Sequence, residues 1–462
     1  MKISVENLGK LTKAEFSLGD LSIICGDNNM GKTYATYALF GFLHTWRKHM
    51  DFYISDENIA SLFDEGSVSI DLREYLDNAP EVLQKACMNY TKKLPDVFAT
   101  NAKQFNDAKF QLFLDESEMH LSNAFQRTIR AANTELFVLN KEAESTLLLV
   151  TLVMEKEVLQ IPQIVIKSII SEAIVEIIFA THLPRPFISS AERTGAAIFR
   201  NELNFARNQL LEELRQRDTT IDPMDLLMKS SRDYALAVEE NVDFTRKLET
   251  IFKQDSEILN TAPEVLDSFA HIIGGAYEVD RNNNLFYKPK GSKVKLTMDA
   301  SSSAVRSLLD IGFYLRHVAK PGDLLMVDEP ELNLHPNNQR LMARLFASLT
   351  KVGIKVFITT HSDFIVKEIN TLIMLHQDKP YLKKLAKEEE YSERELLSCD
   401  QVKLYIAEVA LIKVKGISRR IKRPTLVEAK VDPELGIDAR CFDTTINDMN
   451  RIQDAILWGE PL

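Results

Sequence analysis

Hydrophobic and polar residues follow two patterns along the chain, and both predict β-strands. Apolar and polar residues alternate in Lys2–Leu8 and in Ala14–Leu18, which predicts two half-buried strands. Leu21–Cys25, Leu324–Val327 and Lys355–Thr360 are instead nearly continuous apolar or β-branched runs. Such runs are typical of parallel strands that are buried on both faces. We therefore expect a mixed, mostly parallel sheet.

Helical patterns separate these strands. Tyr34–Met50, which is rich in alanine, leucine and aromatic residues, and Asn338–Leu349 each follow an apolar strand. Alternation of strands and helices predicts the α/β class. Residues 51–185 mix predicted strands, among them Thr146–Val153, with predicted helices, among them Ile164–Ile178. Residues 196–260 are charged and helix-like, so a large mixed insertion is expected. No heptad pattern is sustained over several turns, so long coiled-coil arms are not expected.

A glycine-rich turn joins the strand Leu21–Cys25 to the helix that follows. It reads Gly26, Asp27, Asn28, Asn29, Met30, Gly31, Lys32 and Thr33. Backbone N–H groups of such a turn and the start of the helix point at one position, which favours a polyphosphate. Lys32 then reaches the β- and γ-phosphates, and Thr33 offers its hydroxyl to Mg²⁺. The alternative is a chance match in an ordinary loop, but both flanks agree with a site for ATP.

Two predicted strands far along the sequence from this turn are followed directly by acidic residues and a histidine. Leu324–Val327 is followed by Asp328 and Glu329, and Lys355–Thr360 is followed by His361. Ligands bind at the carboxyl ends of parallel strands, so these side chains are expected beside the phosphates. Asp328 is the candidate that holds Mg²⁺, Glu329 the candidate base for the attacking water, and His361 a contact to the γ-phosphate or that water. The alternatives are acids in a solvated turn and a capped or core histidine.

Composition excludes several classes of protein. The 462-residue chain has a formal net charge of −11, so no global positive field draws it onto nucleic acid or an anionic membrane. Its four cysteines are scattered without a Cys-x-x-Cys pair, which disfavours a zinc site or a disulfide framework. The N-terminus is not that of a signal peptide, and the uncharged runs are too short to span a bilayer. A cytoplasmic protein with no membrane contact is expected.

A local basic cluster lies within residues 413–423. It comprises Lys413, Lys415, Arg419, Arg420, Lys422 and Arg423. Such a run can bind nucleic acid phosphates or an acidic partner. No aromatic residues interleave it, so stacking on single strands is not indicated. In an acidic chain, a solvated face or a protein contact is favoured over DNA.

The order of these motifs resembles the ABC-type ATPase heads of the SMC, Rad and OLD group. The wording Asp328–Pro336 is most similar to the bacterial AAA family ATPases of anti-phage defence. Among these, the Septu ATPase subunits (PtuA) are the nearest and the PARIS ATPase subunits are more distant. The resemblance covers residues 1–50 and about 270–375. It implies an ABC-ATPase-type head that binds ATP and Mg²⁺.

The same resemblance implies a signature segment before the acidic strand. The matching stretch is Ala300–Ser307, in which Ser301 or Ser302 would contact the γ-phosphate held by a second subunit. Helix capping alone is the alternative use of these serines. The stretch departs from the family pattern because it has no glycine, which predicts slow hydrolysis. Arg193, in Ser190–Gly195, is a further candidate for a phosphate or inter-subunit contact, and an Arg–Glu pair with Glu192 is the alternative.

The resemblance also implies a function. We expect an ATP-binding and ATP-hydrolysing subunit that forms a homo-oligomer with nucleotide at the subunit interfaces. It would regulate a separate, HNH-type nuclease in anti-phage defence, with nucleic acid contacted through that partner or through residues 413–423. No Asp-x-Asp pair follows His361, so no nuclease is expected in this chain. The alternatives are a nucleotide-dependent scaffold with negligible hydrolysis and an SMC/Rad-like DNA repair ATPase.

Four regions are expected along the chain. Residues 1–50 form the N-terminal lobe of the head, and residues 51–270 form the inserted module, with 186–195 returning to the head. Residues 271–376 form the C-terminal lobe with the signature, the acidic strand and the histidine. Residues 377–462 form an extension that contacts a partner or another subunit.

Overall fold

Strands and helices alternate in the computed structural model, which describes residues 1–115, 119–131, 134–153, 161–199, 234–281, 284–413, 419–437 and 449–457. The strands are β1 Lys2–Leu8, β2 Leu11–Ser17, β3 Leu21–Gly26, β4 Ser67–Asp71, β5 Lys109–Phe113, β6 Phe125–Ala131, β7 Thr134–Lys141, β8 Leu147–Leu152, β9 Pro186–Ser189, β10 Gly275–Val279, β11 Leu285–Pro289, β12 Leu296–Thr297, β13 Leu324–Asp328, β14 Lys355–Thr360, β15 Val402–Ile412, β16 Ile421–Glu428, β17 Val431–Asp432 and β18 Gly436–Ile437.

The helices occupy the segments between these strands. They are α1 Lys32–Thr45, α2 Asp56–Glu65, α3 Arg73–Asp77, α4 Ala79–Thr91, α5 Leu94–Val97, α6 Gln163–Phe179, α7 Arg193–Ile198, α8 Leu236–Arg246, α9 Leu248–Ile251, α10 Glu257–Thr261, α11 Pro263–Ile273, α12 Ser303–Ser307, α13 Leu309–His317, α14 Pro336–Lys351, α15 Asp363–Leu375, α16 Pro380–Glu388 and α17 449–457.

A six-stranded sheet organises the part of the chain that carries the predicted site. Its order is β16-β15-β3-β14-β13-β9. Strands β15, β3, β14, β13 and β9 run parallel to their neighbours, and only β16 pairs antiparallel. The α/β class with a mixed, mostly parallel sheet is therefore confirmed.

Continuous apolar runs form the centre of this sheet because both of its faces are covered. Leu325 and Val327 of β13 belong to a core that includes Phe313 of α13 and Phe346 of α14. On the opposite face, Phe16 of β2 contacts the rings of Phe357 and Tyr405 at centroid distances of 6.1 and 6.2 Å. Burial on both sides explains why these strands lack the alternation seen in β1 and β2.

The strand register sets which residues meet at the carboxyl edge. Asp328 is paired with Thr359, and Thr359 with Ile24. Thr360 is paired with Cys25, the residue before the glycine-rich turn. The ends of β3, β14 and β13 therefore form one continuous edge, from which the predicted site residues emerge.

The chain divides into two compact units. The first comprises Met1–Ser4, Phe42–Lys93 and Lys109–Pro184, and the second comprises Val5–Gly41, Leu94–Ala108 and Arg185–Leu462. Within the first unit, an antiparallel sheet of order β4-β8-β7-β6 accompanies helices α2, α3, α4 and α6. The six-stranded sheet lies in the second unit, together with α8 to α11. The four regions expected from the sequence stay a prediction.

Predicted elements and observed elements agree closely in the first unit. The helix expected at Ile164–Ile178 spans Gln163–Phe179, and the strand expected at Thr146–Val153 spans Leu147–Leu152. Part of the charged segment 196–260 lies outside the described residues. Its described remainder includes the end of α7 and the helices α8 to α10.

Candidate nucleotide site

The glycine-rich turn has a backbone that its glycines make possible. Gly26 and Gly31 have φ angles of 123° and 94°, which side chains rarely allow. A Cβ at Gly26 would lie 2.6 Å from the carbonyl oxygen of Ala407, and a Cβ at Gly31 would lie 2.7 Å from Leu11. The turn therefore packs directly against β15 and β2. Asp27, Asn28 and Asn29 are exposed, Met30 is half-buried, and Thr33 is exposed in the first turn of α1.

Lys32 folds back over this turn. Its side chain is buried, and its Nζ donates to the carbonyl oxygens of Gly26 and Asp27 at 3.0 and 2.8 Å. Burial lowers the pKa of Lys32, while the carboxylates of Glu329 and Asp328 favour its charged form. The result is an ammonium group that is held at the turn by carbonyl oxygens and is favoured electrostatically by acids from a distant part of the chain.

Asp328 ends β13 as a buried carboxylate. It is 1% exposed, and its Oδ1 accepts a hydrogen bond from Thr359 Oγ1. Burial raises the pKa of Asp328 to about 6. A buried carboxylate and the hydroxyl of Thr33 are hard oxygen donors of the kind that Mg²⁺ prefers. The donor set therefore fits the ion that the phosphate loop implies.

Glu329 follows in a strained backbone conformation. Its φ angle is 52°, in the left-handed region, and its N–H donates to the carbonyl oxygen of Thr359 at 3.1 Å. The side chain stays partly exposed, with Oε1 3.5 Å from His361 Nε2. This contact with His361 lowers the pKa of Glu329. Glu329 is therefore an ionised carboxylate that can accept a proton.

His361 connects the two halves of the site. Its Nδ1 lies 3.4 Å from Lys32 Nζ, and its Nε2 faces Glu329. The structure thus brings Lys32, His361 and Glu329 into one chain of contacts. A carboxylate base (Glu329) close to an ammonium group (Lys32) at a glycine-rich turn is an arrangement suited to phosphoryl transfer.

Glu331 is a residue that the sequence pattern did not single out. Its Oε1 accepts from the backbone N–H of His361 at 2.6 Å, and its Oε2 accepts from Thr360 Oγ1 at 2.9 Å. The carboxylate therefore holds the turn that presents the histidine. The one indication of Glu331 in the sequence is that it is the third acidic residue of the motif Asp328–Pro336.

The two signature serines make local hydrogen bonds. Ser301 Oγ donates to the carbonyl oxygen of Thr297 at 2.8 Å. Ser302 is the N-cap of α12, where its Oγ accepts from the N–H of Val305 at 3.3 Å. Capping is therefore present in the single chain, and the expected contact with a second subunit stays a prediction.

Arg193 and Glu192 do not contact each other as the pairing alternative suggested. Arg193 is 2% exposed, and its guanidinium bonds to backbone carbonyls, including those of Asp328 and Glu329. Glu192 accepts instead from the hydroxyl of Tyr37, on the phosphate-loop helix, at 3.3 Å.

The basic cluster lies on a two-stranded ribbon. Residues 402–407 of β15 pair with β3, whereas the ribbon from Glu408 to Ile412 pairs only with β16. Because β15 is parallel to β3, the ribbon continues past the end of β3 where the phosphate turn begins. Five of the basic residues are described, all exposed and in no ion pair with another described residue: Lys413, Arg419, Arg420, Lys422 and Arg423. Lys415 lies outside the described residues.

Two other kinds of feature, metal clusters and membrane spans, do not occur in the part of the chain that the structure describes. Within the described ranges, no group of three or more His, Cys, Asp or Glu side chains is arranged to hold a metal ion. Among the same residues, no helix has the length and apolar character needed to cross a membrane.

Comparisons with known proteins agree with a nucleotide site. The family of AAA ATPase domains designated AAA_15 matches residues 1–366. No curated protein matches the chain.

Solved structures of SMC head domains align over almost the whole chain, with low TM-scores. An Smc head domain from Pyrococcus furiosus, with an extended coiled coil and bound to the C-terminal domain of ScpA, is 12% identical, with 98% of each chain covered and a TM-score of 0.30. An SmcHead bound to the C-winged helix domain of ScpA is 12% identical over 92% of this chain and 97% of that chain, with a TM-score of 0.31. The SMC head domain from Thermotoga maritima is 10% identical over 93% and 98%, with a TM-score of 0.27.

Proposed function

Because the chain belongs to the family of AAA ATPase domains, we propose that it binds and hydrolyses ATP with Mg²⁺ at the carboxyl edge of its six-stranded sheet. One observation carries this proposal. Lys32 Nζ lies 3.4 Å from His361 Nδ1, and the same imidazole faces Glu329, although these residues come from three separate strand ends. A phosphate turn, a buried ammonium group and a base are the parts that phosphoryl transfer requires.

Each side chain has a role that follows from its position. Lys32 would exchange its bonds to the turn for phosphate oxygens, and Thr33 and Asp328 would hold Mg²⁺, which neutralises phosphate charge when bound. Glu329 would accept the proton of the attacking water, since contact with His361 keeps the carboxylate ionised. His361 would orient that water or contact the γ-phosphate.

Nucleotide titration of purified protein tests the site assignment. Lys32→Ala removes the ammonium group from the turn, so we expect ATP affinity to fall at least about a hundredfold. Lys320→Ala, at an exposed lysine in the same compact unit, is the matched control and should bind ATP like the wild type. Retained tight ATP binding by Lys32→Ala would remove the assignment.

We propose further that the nucleotide is shared between subunits of a homo-oligomer. The resemblance of Ala300–Ser307 to a signature segment supports this, because such segments contact the γ-phosphate of a second subunit. Ser302, at the start of α12, would then serve as the cap and the phosphate contact together.

A role in anti-phage defence, through control of a separate HNH-type nuclease, is the biological setting we propose. Its support is the resemblance of Asp328–Pro336 to the AAA family ATPases of defence systems. Phage plating on cells that carry this gene with its neighbouring genes tests it. Protection that disappears when Lys32→Ala is introduced, or when a neighbouring nuclease gene is deleted, is expected, and protection that survives both changes would contradict the role.

A scaffold with negligible hydrolysis is a second candidate, because Ser303 and Ala304 stand where a signature glycine is expected. Their side chains would hold a partner's phosphate further away. Steady-state phosphate release distinguishes the two, since a scaffold binds ATP without turnover.

An SMC/Rad-like DNA repair ATPase is the third candidate, and the exposed basic ribbon favours it. For the compartment we propose the cytoplasm, because Cys87 and Cys399 form no disulfide with another described residue.

A further inference from the structure

Arg193 is a buried arginine that lies far from the predicted site in sequence. It begins α7, directly after the segment that leaves β9, and it precedes Glu329 by 136 residues. A guanidinium is rarely this buried unless its donors are satisfied. The partners that satisfy Arg193 therefore explain its place.

The guanidinium binds four backbone carbonyl oxygens from three different parts of the fold. Nη1 donates to Ser190 at 2.9 Å and to Asp328 at 2.6 Å. Nη2 donates to Glu329 at 2.7 Å, and Nε donates to Ser307 at 2.8 Å. Of the five N–H groups of an arginine, four are thus used to join the end of β9, the end of β13 and the end of α12.

A second buried layer keeps this arginine in place. Burial lowers the pKa of Arg193, and the buried carboxylate of Asp310 on α13 opposes this shift by favouring the charged guanidinium. Asn241 Nδ2 donates to Asp310 Oδ2 at 2.6 Å, and the N–H of Ile311 donates to Oδ1 at 2.8 Å. The charge of the guanidinium is therefore balanced without a direct carboxylate bond to compete with the carbonyls.

The contact with Glu329 matters because its backbone is strained. The left-handed φ of 52° persists only where the surroundings over-determine it. The N–H of Glu329 is held by Thr359, and its carbonyl is held by Arg193. Both sides of this one residue are thus restrained, which sets the direction of the carboxylate toward His361.

The contact with Ser307 links the same group to the signature helix. Ser307 is the last residue of α12, and Ser302 caps the start of that five-residue helix. A displacement of α12 therefore acts directly on the guanidinium that holds Glu329.

We propose that Arg193 is a positioning residue that holds the base Glu329 in its strained conformation and couples it to the signature helix. This inference rests on the proposed ATPase function, but it concerns how the base is held rather than whether ATP binds. Engagement of α12 by a second subunit's nucleotide would then reach Glu329 through one side chain.

Arg193→Lys tests the proposal because lysine keeps the charge but lacks the planar fork that bridges three elements. We expect kcat to fall about a hundredfold, as for a reacting group displaced by about 1 Å. ATP affinity should change by less than about threefold, because the substitution leaves the contacts that bind ATP in the ground state unchanged. Arg185→Lys is the matched control, since Arg185 joins the opposite ends of β9 and β13 through Asp323 and should leave kcat unchanged.

Hydrogen exchange followed by mass spectrometry gives a readout that does not depend on turnover. In Arg193→Lys, peptides that cover Glu329 and α12 should exchange at least about tenfold faster, while peptides from β1 and β2 stay unchanged. Asn241→Ala, which frees Asp310, is a second variant in case Arg193→Lys does not fold, and it should show the same pattern with a smaller fall in kcat.

The outcomes separate this inference from the proposed function. Wild-type protein that binds ATP without hydrolysis would contradict the ATPase proposal, whereas the exchange rates would still decide the role of Arg193. Unchanged exchange at Glu329 and α12, or equal losses of kcat and ATP affinity, would overturn the positioning role.

Discussion

Glu329 is the residue that we propose accepts the proton of the attacking water. Its carboxylate is partly exposed, ionised and 3.5 Å from His361 Nε2. Glu329→Gln keeps the shape but removes proton acceptance, so we expect kcat to fall by about 10²–10⁴ with ATP affinity retained. Phosphate release and ATP titration measure the two effects. Glu408→Gln, on the exposed ribbon, is the control, and a variant with unaltered turnover would exclude Glu329 as the base.

Asp328 makes the stability of the nucleotide-free protein depend on pH. Its pKa is raised from 3.8 to about 6, so the folded state holds its proton more tightly than the unfolded state. The stabilising contribution of this proton is complete below pH 3.8 and is lost as pH rises through about 6. An ionised Asp328 then costs up to about 3 kcal/mol at pH 8, from about 1.4 kcal/mol per pKa unit.

Asp328→Asn should therefore stabilise the nucleotide-free protein at pH 8, and the gain should shrink as pH falls below 6. Urea unfolding at pH 5 and pH 8 measures this difference. Asp107→Asn, at an exposed aspartate of the same compact unit, is the control. A gain that is equal at both pH values would show that burial of the carboxylate is not its cause.

At the scale of elements, the contact between the phosphate turn and β15 depends on one glycine. Gly26→Ala would place a Cβ 2.6 Å from the carbonyl oxygen of Ala407, at a φ of 123°. Strain alone costs about 1–2 kcal/mol, and forcing an extra carbon into a packed contact adds about 1–3 kcal/mol.

Gly322→Ala separates these two effects. Gly322 has a φ of 89° but nothing within 4 Å of its ideal Cβ, so only the strain remains. We expect both variants to lose stability in denaturant unfolding and only Gly26→Ala to lose ATP binding as well. Equal losses in the two variants would mean that the close approach of β3 and β15 is not required.

The basic ribbon gives a prediction about DNA that belongs to the strands β15 and β16. A two-stranded ribbon fits the major groove of a duplex, and lysine or arginine binds its phosphates. If DNA is a partner, affinity should fall steeply with salt. The triple variant Arg420→Ala, Lys422→Ala, Arg423→Ala should then reduce the log–log salt slope by about 0.9 for each DNA phosphate that the variant no longer neutralises.

A matched triple variant at exposed lysines of α16, Lys383, Lys384 and Lys387, should leave the slope unchanged. Weak duplex binding that is the same in all three proteins would favour a protein partner for the ribbon. Fluorescence anisotropy with a short duplex at several salt concentrations makes the measurement.

At the scale of the whole molecule, a nucleotide shared between subunits can be recognised by complementation. Lys32→Ala removes the ammonium group from the phosphate turn, and Ser302→Arg blocks the signature face, so neither variant should hydrolyse ATP alone. In a mixture of equal parts, half of the dimers pair one variant with the other and regain one intact site, so about a quarter of wild-type activity is expected. A mixture without activity would contradict a site built from two subunits.

Much of the sheet edge at which the candidate site lies could be predicted from the local pattern of apolar residues. Continuous apolar runs at β3, β13 and β14 imply burial on both faces, and parallel strands end together, so the meeting of Lys32, Glu329 and His361 could be expected. The glycine-rich turn is recognisable because its backbone conformation needs glycine at Gly26 and Gly31.

The roles of Glu331 and Arg193 could not be obtained in this way. Each depends on a partner that is distant in sequence or on a backbone carbonyl. Because every residue has a backbone carbonyl, the sequence does not show which of them will accept a hydrogen bond. Arg193 was expected to meet a phosphate, another subunit or Glu192, yet it is buried against four carbonyls. The residue type indicated a positive charge at this position, but it did not indicate which acceptor groups would bind the guanidinium.

By itself, the order of residues determined the α/β class, the phosphate turn and the acids and histidine at the strand ends, because these depend on periodicity and on the conformational freedom of glycine. Only the tertiary structure decided how those groups are held. The hydrogen bonds and burial of these groups arise when segments distant in sequence pack together. That packing sets the strain at Glu329, the raised pKa of Asp328 and the arginine that joins β13 to α12.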